Sequence, residues 1–434
     1  MIKQKLHIGV LIREIFSEEG TGSLVFVKSF LNLPQFRNDE FEYSFIIKTS
    51  KKKQGFQCNK LNSESNYISL SDYNPNKNHL KLSFFESIRF KVGSWIKKIT
   101  QLFFIEIEIK HPRLISEFDK FSQQQMELLI DENKIDLMVY PFWFDYPTIN
   151  RPFIIFYWDA AHRYLSFIPD LAVRNVEAVF KPALEKAFKV IVPNKAAIDE
   201  LESLYKFGQP GSKCSIIPFS FPPPELSSSD RSDSKLKEAG INNPFIFYPA
   251  GFWPHKNHVI LVDAIHELNM RGQHLDVVLT GPDRGNYEFI KNLIVQKGME
   301  KQFHYLGFVK REFLCHLYQN CIALVFTSIV GPNNYPPIEA ASLGCPVLLS
   351  DLPGHREQME DAALYFEKFN PSQLADKIEL LINDKDLRET LICRGIKLTE
   401  SLNPEAYLES LRKVFEEFAQ YRKLWGKHYT LNQP

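Results

Sequence analysis

Two kinds of apolar pattern alternate along this chain. Short uninterrupted apolar runs predict strands buried on both faces, and apolar positions recurring every three or four residues predict amphipathic helices. Such alternation is the mark of parallel α/β sheets. In the first half, strands are expected at LHIGVLI (6–12), YSFIIKT (43–49), IDLMVYP (135–141), FIIFYWD (153–159), KVIVPN (189–194) and CSIIPF (214–219), with helical periodicity over 174–188 and 195–206. The second half alternates more regularly. FIFYPAG (245–251), LDVVLTG (275–281), FHYLGFV (303–309), CIALVFTS (321–328) and CPVLLSD (345–351) read as strands. Helices fit 256–271, 285–298, 310–319, 336–343 and 371–384. A last periodic stretch, 403–422, opens on Asn403-Pro404, an N-cap followed by proline at the first helical position.

The pattern breaks at FPPPELSSSDRSDSKLKEAGINN (221–243), where three consecutive prolines can continue neither a helix nor an inner strand. The expected organisation is therefore two doubly wound, Rossmann-like α/β domains facing a cleft. They span 1–225 and 245–402, joined by a linker at 226–244, and a C-terminal helix at 403–434 packs back on the first domain. Ligands of such sheets bind beyond the carboxyl ends of the strands, which places the site in the cleft. Residues 50–80 are polar and aperiodic and read as a long loop. In 82–104, Phe85, Ile88, Val92, Trp95, Ile99 and Phe103 recur at helical spacing beside Arg89, Lys91, Lys97 and Lys98. This is either a core-facing helix with a solvated charged side or a peripheral membrane contact.

Composition narrows the partners. Lys and Arg total 52, matching 52 Asp and Glu, and this balance argues against a bulk nucleic-acid binder. The six cysteines are scattered without a CxxC pair, so reduced thiols in a cytoplasmic protein are expected rather than a disulfide framework or zinc site. The basic then apolar start, MIKQKLHIGVLI, is too short to span a bilayer and precedes no small-residue cleavage site.

Four segments carry candidate chemistry. In SIVGPNNYPPIEAASLGCPVLLSD (328–351), a Gly-Pro-Asn loop follows a strand and opens a helix whose N–H groups and dipole suit an anion. Glu339, just inside that helix, is placed either to accept two hydroxyls of a ribose or simply to complement the dipole. In FYPAGFWPHKNHVILVDAI (247–265), Gly251 ends a strand and Lys256 begins a helix. There it is either a point charge for a diphosphate or an ordinary surface lysine. His255 and His258 lack the carboxylates a metal site would need. In LIREIFSEEGTGSLVFVKSFL (11–31), Gly20 and Gly22 follow the first strand, either for close backbone approach to a ligand or as a plain turn. In FIIFYWDAAHRY (153–164), Asp159 and His162 follow a strand end. They are either an acid–base pair or a helix-capping Asp beside a structural His.

Together, YPAGFWPHKNH, VVLTGP, YLGFV and GPNNYPPIEAASLGCPVLLSDLPGHREQMEDAALYF resemble the retaining, nucleotide-sugar-dependent glycosyltransferases of family 4, of GT-B fold. The resemblance is strongest over 245–370. It implies metal-independent sugar transfer from a nucleotide diphosphate donor, with no other cofactor, to a glycan or lipid-linked acceptor in polysaccharide biosynthesis. It implies Lys256 on the diphosphate and Glu339 on the ribose. Gly281 would line the nucleotide pocket, Asn333 and Asn334 would lie against sugar and phosphates, and His162 would face the donor sugar or acceptor. Two departures stand out. Many members carry a second glutamate eight positions earlier, which here is Gly331. Many also carry an arginine before the lysine, where this chain has Phe252 and Trp253. The missing glutamate motivates a second reading, a sugar-nucleotide-binding subunit that partners an active transferase. A third, a nucleotide-sugar epimerase, would need acid–base groups clustered in the cleft. The expected location is the cytoplasm, with the inner membrane face if 82–104 touches lipid.

Overall fold

A computed structural model describes residues 6–13, 41–48, 66–69, 123–124, 126–141, 149–206, 213–219 and 234–424. Gly20, Gly22, segment 82–104 and the triple proline lie outside the described residues.

The described strands form two sheets. The first contains β1 (Leu6–Arg13), β2 (Phe41–Lys48), β3 (Asn66–Ser69), β4 (Leu137–Tyr140), β5 (Phe153–Phe156), β6 (Lys189–Val192) and β7 (Cys214–Ile216), in the order β3-β2-β1-β4-β5-β6-β7. The second contains β8 (Phe245–Pro249), β9 (Asp276–Thr280), β10 (Phe303–Tyr305), β11 (Ala323–Phe326), β12 (Val347–Ser350) and β13 (Ala363–Phe366), in the order β10-β9-β8-β11-β12-β13. Every strand pairing is parallel. The expected pair of doubly wound α/β domains is what forms.

The uninterrupted apolar runs are explained by burial on both faces. Leu137 and Val139 of β4, with Ile154 and Phe156 of β5, join the core shared with the C-terminal helix. Their neighbours Met138, Tyr140, Phe153 and Ile155 point the other way, onto Phe180, Leu184 and Leu201 of the helices Asp170–Lys186 and Lys195–Tyr205.

The helix Pro404–Arg422 starts where its cap signal placed it, with Asn403 Oδ1 accepting from Ala406 N–H at 2.8 Å. Its buried stripe, Tyr407, Leu408, Leu411, Val414, Phe415 and Phe418, crosses to the first sheet. Phe415 meets Phe41 edge-on and Phe418 meets Phe188, while Glu417 pairs with Lys189 at 2.9 Å and Arg422 with Asp136 at 2.8 Å.

Some expectations need correction. The stretch read as a loop over 50–80 contains β3, an edge strand paired with β2, whose Tyr67 and Ile68 are flanked by polar Asn66 and Ser69. The short helix Ser234–Glu238 lies inside the expected linker. Two helices, Pro353–Met359 and Lys385–Glu400, were not anticipated, and nor was β13. The helix expected from residue 256 begins at His258. Pro254–Lys256 form a 3-10 turn, and Asn257 then adopts the left-handed conformation (φ 51°, ψ 49°) that asparagine tolerates better than most residues.

Both sheets reverse their strand order once, between β1 and β4 and between β8 and β11. The segments leaving β8 and β11 therefore diverge above the second sheet, and a crevice opens between them.

Candidate functional site

Lys256 and Asn334 come from the two segments that leave this switch point. Lys256 Nζ donates to Asn334 Oδ1 at 3.1 Å. The segments are stitched by their backbones: Ile329 N–H donates to His255 O at 2.9 Å, and Thr327 Oγ1 donates to Lys256 O at 2.8 Å. Tyr248 OH, from β8, donates to the same Lys256 carbonyl at 2.5 Å. Burial pulls the Lys256 pKa down to about 8, partly opposed by the negative charge of Asp159 from the first domain. The ammonium sits 5.0 Å over the Phe326 ring, so it is partly desolvated and held on one side by an aromatic face.

Asn334 is oriented by a chain of directed hydrogen bonds. His355 Nδ1 lies 2.8 Å from the Ser350 carbonyl, which can only accept, so Nδ1 carries the proton. Nε2 is then the acceptor for Asn334 Nδ2 at 3.0 Å, which turns Asn334 Oδ1 toward Lys256. Burial holds the His355 pKa down to about 4, which keeps the ring neutral as this arrangement requires. Gln358 Nε2 donates to Asn333 Oδ1 and to the Asn334 carbonyl, fixing the rest of the loop. Sequence reasoning missed His355 and Gln358, because nothing local in PGHREQM distinguishes them from surface residues.

Glu339 is buried one turn into the helix Tyr335–Ser342. Tyr318 OH donates to its Oε2 at 2.9 Å, and Arg311 approaches Oε1 at 3.3 Å. Burial raises its pKa, while Arg311 and Tyr318 lower it. Tyr335, Pro336 and Pro337 begin this helix, and the prolines have no N–H. The helix start thus offers an anion fewer donors than the loop-to-helix pattern suggested, which leaves more of the charge to Lys256.

Gly281 and Gly331 are required by backbone geometry. Gly281 has φ +123°, and a Cβ there would lie 2.7 Å from the Ala250 carbonyl, so only glycine lets the exits of β8 and β9 press together beside Gly251. Gly331 has φ +113°. A glutamate at that position would force an L side chain into a conformation it rarely adopts.

Asp159 and His162 lie past the end of β5 and do not form the acid–base pair that was one of their two readings. Asp159 Oδ1 accepts from Ala161 N–H at 2.8 Å, a local turn contact two residues along the chain. His162 Nε2 instead meets Glu177 Oε1 at 2.8 Å, and Tyr205 OH donates to the same oxygen at 2.7 Å. His258 is a core residue packed between the rings of Tyr248 and Phe252, and burial lowers its pKa to about 3. Among the described residues no group of three or more His, Cys, Asp or Glu could hold a metal ion, and no helix is long and apolar enough to cross a membrane.

The first domain closes on the loop beneath this cluster. Asn194 Nδ2 donates to Pro332 O at 2.6 Å, and Lys195 N–H donates to Glu357 Oε2 at 2.7 Å. The Trp158, Phe219 and Tyr335 rings gather nearby, and Phe167 stacks parallel to His255 at 6.4 Å.

Comparison with known proteins bears on this geometry. Residues 231–398 match the family model of glycosyl transferases group 1. The serotype-specific mannosyltransferase WbdA of Escherichia coli is 30% identical over 127 residues, which is 29% of this chain and 16% of that protein. The chain thus spans only a small part of that curated relative. Among solved structures, sucrose-phosphate synthase from Thermosynechococcus elongatus superposes with a TM-score of 0.70 at 17% identity, over 96% of this chain and all (100%) of that one. Anabaena HepE in complex with UDP-glucose superposes with a TM-score of 0.63 at 16% identity, over 95% of this chain and 100% of that one. The chain therefore has the GT-B fold, and its residues 231–398 carry the sequence pattern of the group 1 glycosyl transferases.

Proposed function

We propose that this protein is a glycosyltransferase that moves a sugar from a nucleotide-diphosphate sugar to a glycan or lipid-linked acceptor. The observation that carries this reading is the convergence at one switch point of a partly desolvated ammonium, Lys256, with the Asn333-Asn334 loop and the Glu339 helix. The donor lies in the crevice with its diphosphate on Lys256, its ribose diol on Glu339 and its base beside Gly281. Asn333 and Asn334 line the sugar end, and Asp159 marks the acceptor side.

As the glycosidic bond breaks, negative charge grows on the leaving phosphate. An ammonium held by Asn334 meets that charge without reorganising, and the closed cleft keeps competing water out. The leaving phosphate accepts the acceptor hydroxyl's proton, so transfer proceeds with retention and needs neither a strong protein base nor a metal ion. The subunit reading is less economical. It rests on Gly331 as a lost glutamate, whereas the positive φ makes glycine a requirement of this loop's own path.

The test is release of nucleoside diphosphate and transfer from a panel of UDP- and GDP-sugars, with and without chelator. Lys256→Ala and Glu339→Ala should each lower turnover at least about a hundredfold while the protein stays folded. Wild-type turnover in either variant, or activity lost in chelator and restored by manganese, would overturn the reading.

A further inference from the structure

Glu339 does not stand alone, and its two supporters differ. Tyr318, on the helix Arg311–Asn320, is fully buried, and its hydroxyl hydrogen points at Oε2. The Arg311 side chain is 38% exposed against 11% for Glu339, so it reaches its partner from the solvent side of the crevice. Each carboxylate oxygen can accept two hydrogen bonds. With one direction on Oε2 taken by Tyr318 and one on Oε1 by Arg311, each oxygen keeps one direction for a ligand hydroxyl. Two free directions on one carboxylate match a vicinal diol.

Such use requires an ionised carboxylate, because a protonated one would present a donor to one of the hydroxyls. Burial opposes ionisation here. Among the described residues, the other titratable groups that interact with Glu339 are Cys315 and Tyr318 on the facing helix and Tyr335 on its own, and burial raises the pKa of all three, so they are neutral near pH 7. Among the described residues, the charged group beside Glu339 is the Arg311 guanidinium.

We infer that Arg311 and Tyr318 are positioning residues that hold Glu339 as an oriented carboxylate and so set the site's preference for ribose over 2′-deoxyribose nucleotides. This rests on the proposed assignment of Glu339 to the donor ribose. Neither residue touches the reacting atoms.

The test uses the full chain with UDP, GDP and their 2′-deoxy counterparts as probes, measuring affinity by calorimetry from pH 6 to 8. The ribo-to-deoxy affinity ratio is the readout, because the titration of Lys256 affects both probes equally and cancels. Wild type should prefer the ribo form about tenfold or more across this range. Tyr318→Phe should shrink the ratio several-fold. Arg311→Met should make it fall as pH falls, since Glu339 then protonates closer to neutrality, and Arg311→Lys should restore a flat profile. If both Tyr318→Phe and Arg311→Met fold and keep the wild-type ratio at every pH, while Glu339→Gln loses it, the inference is overturned and the ribose assignment stands. If wild type shows no preference and Glu339→Gln binds UDP and GDP like wild type, the ribose assignment fails and takes this inference with it.

Discussion

At the scale of single residues, Lys256 is the group whose chemistry depends most on its surroundings. Its pKa of about 8 means that the free protein loses the ammonium as pH rises through that value. In the proposed assignment a diphosphate binds the charged form, so nucleoside diphosphate affinity should be highest below pH 8. Above it, affinity should weaken toward about tenfold per pH unit, until the lysine's ordinary value in the bound state is approached. Calorimetry between pH 6.5 and 9.5 measures this, and a flat profile would separate Lys256 from the phosphates. His355 acts on the same group at one remove, because its neutral tautomer fixes which face of Asn334 meets the lysine.

At the scale of elements, the terminal helix Pro404–Arg422 offers a clean stability test. Phe418 is buried against Phe188 of the first sheet's domain, and Phe418→Ala should cost about 3–5 kcal/mol, read as a lowered denaturation midpoint with secondary structure retained. This helix was legible in the sequence because cap, proline and a sustained 3.6-residue period agree. The strands β4, β5, β8 and β11 were legible for a similar reason, since burial on two faces leaves no polar residue to interrupt the run. β3 was not legible because Asn66 and Ser69 leave it two apolar positions inside a polar stretch, and β13 was missed although its sequence, ALYF, is apolar. The site was partly legible. Lys256, Asn334 and Glu339 announce themselves through the loops that end β8 and β11, whereas Tyr318, Arg311 and His355 act across folds of the chain that local spacing cannot reveal. The three-residue spacing of Asp159 and His162 left open whether they pair, and the partner of His162 is Glu177, fifteen residues on.

At the scale of the whole molecule, the two domains meet on the loop that carries the proposed donor contacts. Glu357 accepts from Lys195 N–H at the start of the helix Lys195–Tyr205, where a carboxylate also complements the helix dipole. Glu357→Gln keeps the shape and removes the charge. It should loosen the domain contact, seen as faster amide exchange over 195–199, with less than about 1 kcal/mol lost in global stability. Unchanged exchange there would show that the carboxylate does not hold the domains together.

Asn194 connects the two domains through a single amide. Its Oδ1 accepts from Ala197 N–H while its Nδ2 holds the Pro332 carbonyl. Swinging the lobes apart therefore strands two polar groups that must find water, so the separated state starts with a handicap. Any opening that lets a ligand between the lobes has to give up this one asparagine contact.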